Sequence, residues 1–403
     1  MIFMRTFLSL VTPLTLLGIN FPVWSADQAE PLPASQEDVI YQQPEGPAQR
    51  PSEVITSPMR VYSHPAAVGA LVFDKTGMTL ATGDANGMVR LWPLGSEELV
   101  TTFEAHRRAI RTMAFHGDGN TLVTGGIDGN VHVWSARDQR IQAWLDFKHR
   151  GPVSAVSFSG DGNYLISSSQ DDSVIVRDVV TGQKVTTYFG HSADVTSIAV
   201  APEAACVVSG GSDRSLQGWD MTSAEQLDFS TQPARVTALA ISPDGGRLAT
   251  ALSNGLVTLR RTMRCRVHTI ALRLDLHNRP VRAMVFSPDG RFLFTGGEDR
   301  MVVKWDVDSG RPLTVYEGHA GAISSLSISP DGMLLASGGE DKVVRIWKLG
   351  DTRAFEARQA APAPAPSPAR AVSSSRPVVP PRPAPAAPVN PSPIPEPAGP
   401  SPD

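Results

Sequence analysis

Cysteine and excess charge are both scarce in this chain of 403 residues, which has two cysteines and a formal net charge of −4. A charge balance so close to zero argues against nucleic acid or an anionic membrane as the main partner. The sequence also lacks the motifs of a serine nucleophile elbow, a zinc-protease helix and a phosphate-binding loop. We therefore predict a protein that is not an enzyme and uses no metal or cofactor.

The apolar run near the N-terminus, Phe7–Ile19, has 13 residues, fewer than the roughly 20 that span a bilayer. With Arg5 before it and Val23-Trp24-Ser25 after it, this run predicts a bacterial-type secretory signal peptide over residues 1–25, cleaved between Ser25 and Ala26. The absence of cysteine near this site excludes a lipoprotein anchor. We expect a periplasmic or secreted protein with no stable membrane insertion after cleavage; a retained membrane anchor is the alternative.

The chain contains a repeat of about 42 residues, present seven times. Aligned on a tryptophan position, its copies read LATGDANGMVRLW (80–92), LVTGGIDGNVHVW (122–134), LISSSQDDSVIVR (165–177), VVSGGSDRSLQGW (207–219), LATALSNGLVTLR (248–260), LFTGGEDRMVVKW (293–305) and LASGGEDKVVRIW (335–347). Apolar and small polar residues alternate within each copy, which is the period of a β-strand. Ser-Pro-Asp-Gly turns at 242–245, 287–290 and 329–332 join strands into hairpins. Such four-stranded units bury both faces only by packing around a ring.

Four copies carry a His, a Ser or Thr, an Asp and a Trp with gaps of 18, 4 and 6 residues. These tetrads are His106, Thr124, Asp128, Trp134; His191, Ser209, Asp213, Trp219; His277, Thr295, Asp299, Trp305; and His319, Ser337, Asp341, Trp347. In this pattern the sequence resembles the WD40 family over roughly residues 55–349. The resemblance implies that each tetrad is a buried, structural hydrogen-bond relay. Histidines in separate blades cannot converge on one metal ion.

The resemblance also implies that the N-terminal strand completes the last blade, because Val54–Ser63 precedes the first repeat and no strand segment follows Trp347. The predicted fold class is therefore all-β, a seven-bladed WD40-type β-propeller over residues 54–349, closed by an N-terminal strand. We predict that residues 26–53 form a disordered linker and residues 350–403 a disordered tail. From Gln359 to Asp403 this tail has 16 prolines, which suits either an extended spacer or a recognition motif.

The two cysteines of an exported chain could form a disulfide. Cys206 lies in the predicted second strand of repeat four, and Cys265 follows the third strand of repeat five towards the outer edge. Inner and outer strands of neighbouring blades are expected to lie farther apart than the roughly 6 Å between the Cα atoms of a disulfide. We predict that both cysteines are unpaired.

Repeat five departs most from the pattern, since Gln232, Asn254 and Arg260 replace its His, Asp and Trp. It also carries a run of arginines: Arg260, Arg261, Arg264 and Arg266. One interpretation is a degenerate blade with solvated outer strands. The alternative is a basic rim that binds an acidic partner or an anionic polymer of the cell envelope.

The resemblance implies that a partner docks on the face that bears the residue before the turn Asp and the residues after the His. The matching candidates are Arg107, Ile127, Arg150, Gln170, Ser212, Arg235, Glu298 and Glu340. Arginines on some blades and glutamates on others would suit an extended partner segment with an acidic part and a basic part. We predict a protein-interaction scaffold; the alternative is an envelope enzyme or a carbohydrate-binding propeller that uses the central channel.

Overall fold

The computed structural model describes residues 51–94, 101–136, 140–141, 145–203 and 205–350. The predicted signal peptide, the predicted linker up to residue 50 and the tail beyond Gly350 lie outside these residues. The described part forms thirty β-strands and no α-helix, so it holds no helix long and apolar enough to cross a bilayer. This confirms the prediction of an all-β fold.

Twenty-nine of the strands form seven antiparallel sheets, which are the seven predicted blades. Listed from the innermost strand outward, blade one comprises β3 (Val68–Phe73), β4 (Thr79–Asp84), β5 (Met88–Pro93) and β6 (Thr101–Glu104). Blade two comprises β7 (Ile110–Phe115), β8 (Thr121–Gly126) and β9 (Asn130–Ser135), and two short strands, β10 (Arg140–Ile141) and β11 (Phe147–Lys148), both pair with β9. Blades three and four comprise β12 (Val153–Phe158), β13 (Tyr164–Ser169), β14 (Val174–Asp178) and β15 (Lys184–Tyr188), then β16 (Val195–Val200), β17 (Cys206–Gly211), β18 (Ser215–Asp220) and β19 (Gln226–Thr231).

The remaining blades follow the same order. Blade five comprises β20 (Val236–Ile241), β21 (Arg247–Leu252), β22 (Val257–Met263) and β23 (Arg266–Leu274). Blade six comprises β24 (Val281–Phe286), β25 (Phe292–Gly297), β26 (Val302–Asp306) and β27 (Pro312–Tyr316), and blade seven comprises β28 (Ile323–Ile328), β29 (Leu334–Gly339), β30 (Val343–Lys348) and β2 (Arg60–Ser63). The one remaining strand, β1 (Glu53–Ile55), pairs in parallel with β27 at the outer edge of blade six.

The core is distributed over the seams between blades. Buried apolar side chains of the described residues form seven clusters, and each cluster joins two neighbouring blades. The largest side chains with almost no exposed area, Trp219, Trp305 and Trp347, lie in three of these clusters. A blade therefore derives its hydrophobic stabilisation from its neighbours, as expected for a repeat architecture.

The N-terminal segment closes the ring, as predicted, but as two short strands. Strand β2 pairs antiparallel with β30, and its Tyr62 stacks on Trp92 of blade one with ring centroids 4.5 Å apart. Ile55 of β1 packs against the cluster at the seam of blades six and seven. Blades one and seven also contact each other directly, because the backbone N–H groups of Leu71 and Phe73 in β3 donate to serine hydroxyls of β28, both at 3.1 Å. The segment thus fastens both seams that flank blade seven.

The prediction that the cysteines are unpaired is wrong. Cys206 and Cys265 form a disulfide with their Cα atoms 6.0 Å apart. The reason is the length of the β22–β23 hairpin, whose turn at Cys265 lies over blade four instead of at the outer edge of blade five. A Cβ on Gly218 of blade four would come 2.0 Å from the Cys265 carbonyl oxygen, and the Val267 N–H donates to the Asp228 carboxylate at 2.6 Å.

Closure by β2 can be tested with two substitutions on that strand. Tyr62 is buried, whereas the next residue, Val61, is 52% exposed. Tyr62→Ala should lower the free energy of unfolding by about 3 kcal/mol, because it leaves a cavity at the seam of blades seven and one. Val61→Ala should change it by less than about 0.5 kcal/mol. Chemical denaturation measures both, and equal effects of the two variants would contradict the assignment of β2.

Candidate functional site

The four complete tetrads form the same relay within their blades. In each, the His Nε2 lies 2.7–2.8 Å from the Ser or Thr hydroxyl, to which the Trp Nε1 donates at 2.8–3.2 Å. The His Nδ1 lies 2.6–3.0 Å from the turn Asp. Burial alone would raise the pKa of Asp341, but the bonds from His319, the Ala320 N–H and Arg345 lower it to about 2. With their polar atoms engaged inside the blade, these residues are suited to holding strands together.

The three incomplete blades replace missing partners with other polar contacts. In blade three Arg177 takes the Trp position, donates to the Gly182 carbonyl at 2.6 Å and stacks over the ring of Phe147. In blade five, Arg260 donates to the Gln232 side chain at 2.7 Å, so the residues at the Trp and His positions still meet. Arg260 is buried, which is a correction to its place in the predicted exposed rim. Its neighbours in that rim, Arg261, Arg264 and Arg266, are exposed.

Blade one keeps the relay without an Asp at the turn. His64 Nε2 lies 2.8 Å from the Thr82 hydroxyl, which also accepts from Trp92. Asp84 pairs with Arg90 instead of with the histidine. His64 Nδ1 consequently has no hydrogen-bond partner among the described residues. Burial, together with the nearby charge of Arg90, lowers the pKa of His64 to about 4.

The residues predicted to bind a partner do share one face of the ring. In every blade the residue before the turn Asp position donates its N–H to the carbonyl of the third residue after the His position. These pairs are Ala85–Ala67, Ile127–Ala109, Gln170–Pro152, Ser212–Asp194, Ser253–Arg235, Glu298–Pro280 and Glu340–Ala322. We call the surface formed by these seven loops and seven turns the mouth face.

At the centre of the mouth face lies a cavity of about 450 Å³. Each inner strand has a register irregularity of the bulge type, and the bulged residue lines this cavity in every blade: Gly69, Arg111, Ser154, Thr196, Thr237, Arg282 and Ser324. Bulges re-aim a side chain out of the regular alternation of a strand. The repeat thus places one residue per blade at the channel, with a side chain in every blade except blade one.

The predicted partner-binding residues fall into three groups. Gln170, Ser212 and Arg235 line the cavity. Arg107 and Arg150 are exposed and make no ion pair with a described residue, and Ile127 is half-buried. Glu298 and Glu340 both bind Arg282.

The pairing of the two glutamates corrects the predicted division of the mouth face into basic and acidic parts. Arg282 donates to the Glu298 carboxylate at 2.8 and 3.0 Å and to the Glu340 carboxylate at 2.8 Å. Burial alone would lower the pKa of Arg282, but these bonds raise it. These two acidic side chains are therefore engaged within the protein, whereas Arg107, Arg150 and Arg235 are exposed and form no ion pair with a described residue.

Arg111, Asp194 and Arg282 line the cavity but are not among the residues predicted from the sequence. A signal for the two arginines was present, because the bulged residue is the fifth after the His position in every blade, from Gly69 after His64 to Ser324 after His319. Within the described residues, no group of three or more His, Cys, Asp or Glu side chains could hold a metal ion.

Comparison with known families matches the chain to the WD40 model "WD domain, G-beta repeat" in six segments: residues 56–93, 97–135, 145–178, 182–220, 268–306 and 310–348. Together they cover more than half of the chain. The stretch left out holds most of blade five, whose His, Asp and Trp positions are all substituted. The match and the blades of the structure agree on where the repeats lie.

Three relatives illustrate the similarity. The chain is 32% identical to "WD repeat-containing protein SL1-17" of Schistosoma mansoni over 35% of this chain and 46% of that protein. It is 26% identical to "Small ribosomal subunit protein RACK1" of Schizosaccharomyces pombe (32% and 43%) and 28% identical to "Guanine nucleotide-binding protein subunit beta" of Solanum tuberosum (39% and 45%). The chain spans less than half the length of these relatives. All three are eukaryotic and lend no support to the predicted bacterial type of export.

The buried His64 predicts a loss of stability in mild acid. Because its folded pKa is about 4 and its usual value is 6.5, the unfolded chain binds a proton between these values and the folded chain does not. Stability should therefore fall as the pH drops through this window, by about 2 kcal/mol between pH 7 and pH 5 from this group. Denaturation at both pH values should show a smaller loss for His64→Gln than for the wild type.

A His268→Gln variant, at an exposed position, controls for the removal of a histidine. Its loss of stability between pH 7 and pH 5 should match that of the wild type. A His64→Gln variant with the wild-type pH dependence would show that this histidine takes up its proton equally well in the folded state.

Proposed function

Because the chain belongs to the WD40 family of WD domain, G-beta repeats, we propose that it is a non-catalytic protein-interaction scaffold that binds a partner on its mouth face. The observation that carries the proposal is the convergence of seven loops on one polar cavity with Arg107, Arg150 and Arg235 left to solvent around it. Arginine suits recognition because its planar guanidinium binds a carboxylate through two parallel hydrogen bonds. Two relatives carry names of components of larger assemblies, a ribosomal subunit protein and a G-protein subunit, which supports a role in protein association.

The second candidate is an envelope enzyme or a carbohydrate-binding propeller that uses the channel. A carbohydrate site needs aromatic faces, and an acid–base enzyme needs convergent titratable groups. Among the described residues that line the cavity there is no aromatic side chain, and Asp194 is the one carboxylate. The lining therefore favours the scaffold.

We further propose that the protein is exported. The arrangement of Arg5, Phe7–Ile19 and Val23-Trp24-Ser25 motivates this proposal. The disulfide between Cys206 and Cys265 is independent support, because disulfides persist in secreted and periplasmic proteins and are rare in the cytosol.

Mass spectrometry of the protein from its source cells, alkylated during lysis, tests export. We expect Ala26 as the N-terminal residue and a linked pair of peptides that contain Cys206 and Cys265. An intact Met1 together with two alkylated cysteines would contradict export.

Charge reversal tests the location of the partner site. Affinity capture with quantitative mass spectrometry should show that Arg107→Glu combined with Arg150→Glu removes the partner retained by the wild type, at an unchanged melting temperature. The matched control is Arg261→Glu combined with Arg264→Glu, which reverses two exposed charges on the β22–β23 hairpin. If the control removes the partner and the mouth-face pair does not, the basic rim of blade five is the site.

A further inference from the structure

Arg282 shows what an arginine at the bulged position does when carboxylates surround it. It binds Glu298, the residue before the turn of its own blade, and Glu340, the residue before the turn of the next blade. Glu298 is half-buried. The three donor contacts of 2.8–3.0 Å hold the guanidinium between two blades at the edge of the channel.

Arg111 occupies the equivalent position in blade two, but its surroundings lack both carboxylates. The residue that corresponds to Glu298 is Ile127, and the residue that corresponds to Glu340 is Gln170 of blade three. Arg111 lines the channel cavity together with Gln170, is exposed, and forms no ion pair with any described residue. The same position in the repeat thus carries an arginine in two blades: Arg282 is paired with carboxylates and Arg111 is not.

The bulged positions on either side of Arg111 carry neither a carboxylate nor a bulky side chain. In blade one the bulged residue is Gly69, where a Cβ would lie 2.0 Å from the Ile110 carbonyl oxygen, so no side chain can project there. In blade three it is Ser154, whose hydroxyl has no hydrogen-bond partner among the described residues. Arg107 and Arg108 on the loop before Arg111 are exposed and add to the positive charge.

We propose that Arg111 binds a carboxylate from an acidic side chain of a protein partner, placed over Ile127 where blade six has Glu298. This inference rests on the proposed scaffold function and assigns the chemistry of the partner. The Gln170 amide can donate a further hydrogen bond to the carboxylate, and Ile127 offers an apolar surface to the methylene groups of a glutamate. A side chain with a carboxylate at the end of a short apolar stem matches both features, whereas a bare inorganic anion uses only the guanidinium.

Fluorescence anisotropy with a fluorescein-labelled octaglutamate peptide and the purified protein in low-salt buffer tests this site. The wild type should bind this peptide and not the matched octaglutamine. Arg111→Gln should weaken binding about tenfold or more, since it removes a charge-assisted pair. Ile127→Glu should weaken binding to a similar extent, because it supplies Arg111 with an internal carboxylate as in blade six.

Ile127→Gln is the matched control, since it has the shape of glutamate without the charge. It should keep affinity within about threefold of the wild type, a difference of less than 1 kcal/mol. Thermal melting of all variants excludes misfolding as the cause. Equal losses in Ile127→Glu and Ile127→Gln, or undiminished binding by Arg111→Gln, would overturn the proposal.

Two further outcomes separate this inference from the scaffold function. If the wild type does not bind octaglutamate while the Arg107 and Arg150 reversals still remove the captured partner, the assigned chemistry is wrong and the scaffold function stands. If polygalacturonate, an anionic polysaccharide, binds in an Arg111-dependent way and octaglutamate does not, the ligand is an anionic polymer and the peptide proposal fails.

Discussion

Each blade has two apolar faces, and the ring buries all of them by closing between blades seven and one, where strand β2 pairs with β30 and completes blade seven. Closure completes the core, since each apolar cluster belongs to a seam between two blades. An open ring would expose two blade faces and the unpaired outer edge of β30. The short N-terminal segment packs on both sides of blade seven, with Tyr62 at the seam with blade one and Ile55 at the seam with blade six.

Within a closed ring, individual blades can lose their internal relays. Blade five has none of the His, Asp and Trp residues, yet Arg260 still meets Gln232 across the blade. The β22–β23 hairpin adds a second support, because the disulfide at Cys265 fixes its turn to blade four. By the chain-entropy argument, a link across 59 residues stabilises by about 4 kcal/mol, more than the roughly 1 kcal/mol that a single hydrogen bond contributes. The disulfide between blades four and five thus offsets the missing hydrogen-bond relay within blade five.

The sequence predicts those features that recur with the repeat and misses those that depend on the path of a single segment. Seven blades follow from the spacing of the repeats, and the four relays follow from the resemblance to WD40 proteins at His106 and its counterparts. The disulfide could not be predicted in this way, since it depends on how far one hairpin extends and which way it leans. Strand β1 has three residues and pairs in parallel, which leaves no alternating pattern to detect. The pairing of Arg282 with Glu298 depends on a bulge that alignment on tryptophan does not mark.

That bulge explains how so regular a fold can carry a specific site. The register irregularity recurs in all seven inner strands, so the backbone presents seven equivalent positions to the channel, and only the residue type distinguishes them. Glycine, serine and threonine at five of these positions leave the cavity open, and arginine at the other two supplies charge. The two arginines differ through one further residue per blade, the one before the turn. At that position blade six has Glu298, which pairs with Arg282. Blade two has Ile127 there, which leaves Arg111 accessible to an external carboxylate. Binding chemistry in this ring can therefore change by single substitutions at two positions per blade, without any change in the strands that support them.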